Sequence, residues 1–332
     1  MNSGSSSPLV TIVTPSYDQA EFLEQTICSV LAQDYSAIEY LVVDGGSTDE
    51  SVAIIKRYAS RLHWWVSEPD SGQSDAINKG LKRANGEIVA WLNSDDLYLP
   101  GAVAAAVDVM QSRPDLGFVY GDAITIDENG RPINHLTFPN WSFDDLMAFR
   151  IICQPAVFMR REILEQVGYL DETFHFMLDH QLWLRIASQA PIRHIPLMLA
   201  AARNHPTAKN VSQAEQFSRE TYEVMAWMEN QPEMVDIINQ NRRKIQGGVY
   251  RLSARYLLDG GFYGESLKTY WRSMIAQPGY ALRHWHRMLY AFICIFGGQS
   301  LDEWYYQNRR QKRIDLTSHA ELSGWVGLRL DG

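Results

Sequence analysis

Short apolar runs alternate with amphipathic stretches through the first hundred residues. Residues 9–14 (LVTIVT) are β-branched and stop at Pro15, which predicts a strand. Residues 19–33 place Phe22, Leu23, Ile27, Val30 and Leu31 at helical spacing. A second strand is predicted over 38–43, ending at Asp44-Gly45-Gly46-Ser47, and a helix over 51–58 with Thr48 or Asp49 as its N-cap. A strand over 62–66, a helix over 74–84 and a further strand ending at Asp96 continue the alternation. Such alternation with short connections implies a mostly parallel, Rossmann-like central sheet flanked by helices, the α/β class. From Leu116 the pattern changes. Residues 117–121 and 123–127 read as short strands before a hairpin turn at 127–130, and 142–149, 161–167 and 174–189 read as helices. In the last of these, Leu178, Leu182, Trp183 and Ile186 share one apolar side. Beyond Ala214 nearly everything up to about Ile295 is helical in pattern, so a boundary is expected near 211–214. The expected organisation is a leader over 1–7, an α/β domain over 8–213 and a helical region over 214–332.

The polarity breaks most sharply inside residues 86–100, GEIVAWLNSDDLYLP. The apolar run 88–92 is long enough for one buried strand and gives way at once to Asn93, Ser94, Asp95 and Asp96. Adjacent carboxylates at the carboxyl end of a buried strand stand where α/β proteins bind ligands. Their oxygens suit hard divalent cations such as Mg²⁺ or Mn²⁺, which bridge to phosphates. A solvated turn is the alternative use of the same residue types.

Composition narrows the choices. A chain of 332 residues that is 46% hydrophobic and 21% charged is globular. Cys28, Cys153 and Cys294 are far apart and lack CxxC spacing, which argues against a disulfide framework or a zinc site and suits a reducing cytoplasm. The opening MNSGSSSPLV lacks the basic and apolar regions of a signal peptide, and no run reaches the length of a membrane-spanning helix. GxGxxG is absent, and the first strand–helix turn, TPSYDQAEF, has no glycine, which excludes a conventional dinucleotide site. The net charge is −9, yet residues 240–313 hold 13 Lys+Arg against 4 Asp+Glu. An acidic body with a basic segment near its end does not fit a nucleic-acid binder. It fits an anionic membrane surface or a phosphorylated acceptor.

The segments TIVTPSYDQAEFLEQTICSVLAQDY, EYLVVDGGSTDES and EPDSGQSDAINKGLKRANGEIVAWLNSDD resemble, in order and spacing, the nucleotide-binding half of the family 2 glycosyltransferases with the GT-A fold. The similarity continues through CQPAVFMRREILEQVGYLDE to DHQLWLRIA, over about residues 8–210. It implies a nucleotide-sugar-binding half over 8–100, an acceptor and catalytic half over 101–213, and an inverting transfer from a UDP-, GDP- or dTDP-sugar to a saccharide acceptor. By this resemblance Asp96 is the direct ligand of a divalent metal, Asp95 holds the ribose or binds through water, and Ser94 stands where many relatives have an aspartate. Asp44 is implied as the acceptor of a nucleobase hydrogen bond, with Pro15 and Tyr17 lining the base pocket. Asp70, Gln73, Asp75 and Lys79 fall in the segment that wraps the donor. Asp179 matches the general base, although the usual preceding glutamate is Leu178 here. His205 stands where a late histidine completes the metal shell, and Arg203 and Lys209 are implied to neutralise diphosphate charge. Gln154 and Trp183 fall on the acceptor side.

Two other classes share these features. A nucleotidyltransferase would need a glycine-rich basic loop that TPSYDQAEF does not supply. A GT-A protein reduced to carbohydrate binding or scaffolding fits the departures at Ser94 and Leu178. Residues 283–297, RHWHRMLYAFICIFG, combine cations with aromatic and aliphatic residues, as an interfacial helix does. They predict loose attachment to the inner membrane face, where a lipid-linked acceptor is presented. The alternative is a helix packed on the catalytic domain or at a homodimer contact.

Overall fold

The computed structural model describes residues 7–205 and 213–297. The leader up to residue 6, Lys209 and residues 298–332 lie outside the described residues. Strands β1 (Val10–Ser16), β2 (Ile38–Asp44), β3 (Trp64–Ser67) and β4 (Ile88–Trp91) alternate with helices α1 (Ala20–Leu31), α2 (Ser51–Tyr58) and α3 (Gln73–Leu81). β5 (Leu97–Tyr98), α4 (Ala102–Ser112), β6 (Phe118–Ile126), β7 (Pro132–Leu136), α5 (Phe143–Met147), β8 (Val157–Arg160), α6 (Arg161–Val167), α7 (Leu178–Gln189) and β9 (Ile192–Arg203) follow. Among the described residues these strands form one sheet of order β3-β2-β1-β4-β8-β6-β9-β5, with β7 on β6. The half β3-β2-β1-β4 is parallel throughout. The chain leaves β1 toward β2 and returns to its other side at β4, so the carboxyl ends of β1 and β4 flank a crevice where ligands bind in open α/β sheets.

Side chains alternate across the sheet and both faces are covered, so β1, β2 and β4 are buried along almost their whole length. Val10, Ile12, Tyr40, Val42, Ile88 and Ala90 join one core with Leu23 and Ile27 of α1, Ile54 and Ile55 of α2 and Val103 of α4. Val13, Leu41, Val43, Val89 and Trp91 face the opposite core, with Ile77 of α3 and Leu182 and Trp183 of α7.

This second core does not end with the α/β elements. Helices α8 (Ala214–Met228), α9 (Pro232–Asp259), α10 (Tyr263–Ala276), α11 (Pro278–Leu282) and α12 (Trp285–Ile295) follow the sheet. Val224, Met228, Met234, Ile238, Ile245, Val249 and Leu252 of α8 and α9 belong to the core on Val13 and Trp91. Arg251 of α9 donates from Nη2 to the Phe149 carbonyl at 2.6 Å. Gly248 lies so close to the Ala148 carbonyl that a β-carbon there would collide with backbone. α12 turns Tyr290, Ala291 and Cys294 toward Leu258 and leaves Trp285, Leu289, Phe292 and Phe296 exposed.

Several expectations need correction. The two short strands over 117–127 are the single strand β6, followed by the expected turn and β7. Strands β8 and β9 are additional. The alanines and Pro196 of β9 hide it in the sequence. Its pairing with β6 jumps from Ile195↔Gly121 to Met198↔Asp122, so Pro196 falls in a register break where its missing N–H costs no ladder bond. The N-cap of α2 is Glu50, while Asp49 accepts the Ser51 N–H at 2.9 Å. The helix expected from residue 174 starts at 178, because the preceding amides are held by a side chain from α8.

The Gly248 contact generates a direct test of the shared core. Gly248→Ala should destabilise the protein by about 1–3 kcal/mol through overpacking, read as a lower urea midpoint. Gly264→Ala, which meets nothing within 4 Å, should leave that midpoint unchanged or slightly raised.

Candidate active site

The residues after β4 form a tight turn, in which Asp96 N–H donates to the Asn93 carbonyl at 3.1 Å. Thr26, fully buried on α1, donates its hydroxyl to the carbonyls of Ser94 and Asp96, both at 2.8 Å. Arg203, at the end of β9, closes the turn from the other side. Its backbone N–H donates to Asp96 Oδ1 at 2.9 Å and its Nε to the Asp95 carbonyl at 2.8 Å. Its Nη1 reaches the carbonyls of Asp127 and Glu128, and its Nη2 reaches Gln25 Oε1. Arg203 is thus a clamp on the acidic turn, with its guanidinium spent on protein oxygens.

Burial and the neighbouring Asp95 push the Asp96 carboxyl well above the ordinary range, against the pull of the Arg203 N–H. Adjacent carboxylates in a poorly solvated turn repel one another, a repulsion that a hard divalent cation would relieve. His205 brings its Nε2 to 3.2 Å from Asp95 Oδ2. Among the described residues no group of three or more His, Cys, Asp or Glu is placed to hold a metal ion on protein atoms alone. The donors present, two carboxylates and an imidazole, suit Mn²⁺ or Mg²⁺ completed by oxygens of a ligand.

A cavity of about 990 Å³ opens at this turn. Ser94, Asp95, Asp96, Arg203 and His205 line it together with Pro15, Tyr17, Gly45, Gly46, Asp70, Gln73, Gln154, Leu178 and Asp179. Gln73 Nε2 donates to Asn93 Oδ1 at 2.9 Å, and Gln154 bridges Asn93 to the Trp91 carbonyl, so both amides fix the turn as well as lining the cavity.

Asp179 sits in the first turn of α7 and accepts the His180 N–H at 2.6 Å. Enclosure by protein raises its carboxyl to about 6, outweighing that hydrogen bond, with Glu220 adding a smaller push in the same direction. A carboxyl poised there beside a cavity can accept a proton near neutral pH.

Not every expected residue faces the cavity. Asp44 is fully buried beneath its rim, accepting from Gly46 N–H, Ser47 N–H and the hydroxyls of Ser47 and Ser67. With its oxygens occupied inside its own loop, it presents Gly45 and Gly46 to the cavity instead of a carboxylate. Asp75 and Lys79 lie outside it. Lys79 pairs with Glu68 at 3.2 Å and Asp75 at 3.5 Å on the helix surface. Trp183 is core, stacked on Trp91 at 5.3 Å.

Sequence reasoning missed His175, Phe176 and Phe217, which line the cavity near Asp179. Phe217 belongs to α8 and packs on Phe176 at 5.0 Å and Tyr256 at 4.7 Å. Only the helical spacing of Phe217 and Thr221 hinted at an inward face.

The profile of glycosyl transferase family 2 matches residues 11–168. An uncharacterized glycosyltransferase of Mycobacterium tuberculosis is 31% identical over 188 residues, covering 55% of this chain and 70% of that protein. A Rickettsia bellii relative is 31% identical over 208 residues, 60% of this chain, and the chain spans 30% of its length. The O-antigen biosynthesis protein RfbC of Myxococcus xanthus is 33% identical over 207 residues, 60% of this chain and 16% of that protein. Among solved structures, Staphylococcus aureus TarS 1–349 in complex with UDP matches with a TM-score of 0.57 at 17% identity, covering 94% of this chain and 93% of that one. A mannosyltransferase from Pyrobaculum calidifontis in complex with GDP-Man and Mn²⁺ matches with a TM-score of 0.57 at 19% identity, covering 90% and 89%. At these identities the structural likeness is one of fold.

The acidic turn depends on Thr26. Thr26→Val keeps the shape but strips two buried carbonyls of their donor, and should cost about 1–3 kcal/mol in urea unfolding.

Proposed function

The chain belongs to glycosyl transferase family 2 and has a GT-A fold; from that premise we propose that it is an inverting glycosyltransferase. It moves a sugar from a UDP-, GDP- or dTDP-sugar to a hydroxyl of a saccharide acceptor. One observation carries the reading: the acidic turn Asp95–Asp96 and the raised carboxyl of Asp179 line one and the same cavity.

The chemistry follows from what each group can do there. Pro15, Tyr17, Gly45 and Gly46 form the side of the cavity that receives the nucleoside. Asp95, Asp96 and His205 would hold a divalent cation, which when bound neutralises the diphosphate as it leaves. Arg203 keeps that turn in shape. Asp179 removes the proton from the acceptor hydroxyl while its oxygen attacks the anomeric carbon. The bond to the diphosphate breaks in the same step and the configuration inverts. His175, Phe176 and Phe217 give the acceptor an apolar and aromatic wall, which suits the faces of a sugar ring.

The acceptor is read as lipid-linked, in the synthesis of a surface polysaccharide. The likeness to an O-antigen biosynthesis protein supports this, as does the exposed face of α12. Trp285 (61% exposed), Phe292 (50%) and Phe296 (75%) stand on one side of that helix, with the exposed Arg283 just before it. No described helix is long and apolar enough to cross a membrane; the exposed aromatic face of α12 suits an interfacial contact.

A thermal-shift series with UDP, GDP and dTDP, with and without Mn²⁺, tests donor class and cation use together. Stabilisation by one nucleotide that grows with Mn²⁺ is expected, and no response to any nucleotide would reject the proposal. Asp179→Asn should keep the nucleotide shift and abolish transfer. Because Asp179 serves as a base only when ionised, kcat/KM should rise with pH through about 6 and level off above it. Flotation with phosphatidylglycerol vesicles tests the surface. The parent should float and a Phe292→Glu/Phe296→Glu variant should not, whereas equal behaviour removes the membrane contact.

A further inference from the structure

Glu220 lies on α8, outside the stretch matched by the family profile, and is only 3% exposed. Its Oε1 accepts the His175 N–H at 2.8 Å, and its Oε2 accepts the Phe176 and Met177 N–H groups, each at 2.8 Å. No cation pairs with it among the described residues. Three amides therefore carry the whole task of keeping a buried carboxylate.

Those amides occupy a particular place. They lead directly into α7, whose first turn carries Asp179, and His175 and Phe176 are part of the cavity wall. Met177 is the N-cap of α7, so its N–H is one of those left without a partner inside the helix, and His175 and Phe176 are the two residues that lead into it. A serine or threonine cap would satisfy one N–H here, whereas a carboxylate with two oxygens gathers the N-cap amide and the two before it. One turn before Glu220, Phe217 packs on Phe176 and lines the same cavity. The helical region thus grips residues 175–177 by their backbone and by a side chain.

We propose that Glu220 is the positioning residue for Asp179: by gathering the amides of His175, Phe176 and Met177 it fixes the start of α7 and aims the Asp179 carboxyl into the cavity. This rests on the reading of Asp179 as the base. It makes α8 part of the machinery that holds the base in place. A carboxylate behind the helix start also opposes a second negative charge on Asp179, acting with burial to keep that group above the usual aspartate range. The other ionisable groups near enough to act on Asp179 are Tyr256 from α9 and Cys153 from the loop before the Gln154–Ala156 turn. His180 meets it through its backbone N–H only, its ring lying on the Leu146 carbonyl.

The experiment uses the full chain and two readouts. The Asp179 carboxyl is titrated by carbon-13 NMR and assigned by its loss in Asp179→Asn. Hydrolytic release of nucleotide from UDP-GlcNAc and GDP-mannose, with Mn²⁺ present, is followed across pH. Glu220→Gln keeps the size but removes the charge and at least one acceptor. It should lower the Asp179 midpoint slightly, because burial is the larger cause of its elevation, and cut hydrolysis about tenfold or more at the pH plateau, as misplacement of a base does, while the UDP thermal shift stays. Glu220→Asp retains the charge with a shorter reach. It should restore the midpoint and only part of the rate, and it carries the test if Glu220→Gln does not fold. A parental midpoint and rate in Glu220→Gln would overturn the proposal, as would a parental rate in Glu220→Asp. Full hydrolysis in Asp179→Asn would instead remove the reading of Asp179 as base.

Discussion

Keeping two adjacent carboxylates at the end of a buried strand is the constraint that the rest of the molecule answers to. Asp95 and Asp96 emerge from β4 where the surroundings are poor in water, and an unsatisfied charge there would be expensive. Every nearby polar group is arranged around that cost. Thr26 pins the carbonyls of the turn, Arg203 delivers its backbone N–H to Asp96, and His205 meets Asp95. Because Arg203 and His205 come from β9 and the residues just after it, the sheet must close through β6 and β9 before the turn can hold its shape.

The second consequence concerns the C-terminal helices. A sheet buried on both faces needs a cover over β1 and β4, and on one face α8 and α9 contribute much of it. Covering the sheet brings Phe217 to the wall of the cavity and Glu220 to the amides of the residues that form it. Stability and site geometry are then carried by the same contacts, so a change in the helical region reaches Asp179 without touching it.

Residues assigned by resemblance fall into two groups once placed in space. Asp95, Asp96, Asp179, Gln154 and His205 converge on one cavity. Asp44, Asp75, Lys79 and Trp183 do not reach it. Asp44 is consumed by the loop it caps, and the helix pair Asp75–Lys79 satisfies its charges on the surface. Trp183 is drawn into the core because stacking on Trp91 buries more of its ring than a cavity wall would. Residue type and spacing alone cannot separate a polar group that meets a ligand from one that meets its own backbone.

The parallel half of the sheet, its flanking helices and the polarity break after β4 were legible in the chain, because strand and helix periodicities are local and each apolar run there is short and cleanly bounded. The helical character of the region after Ala214 was legible for the same reason. Only tertiary structure decided that β9 is a strand, since its alanines and Pro196 carry no alternation and its pairing with β6 is made across more than sixty residues. Only tertiary structure likewise joined Glu220 to the amides before α7, a contact over more than forty residues that no periodicity encodes. Local pattern determines which segments must be buried; which distant groups they meet is set by how the buried faces close on one another.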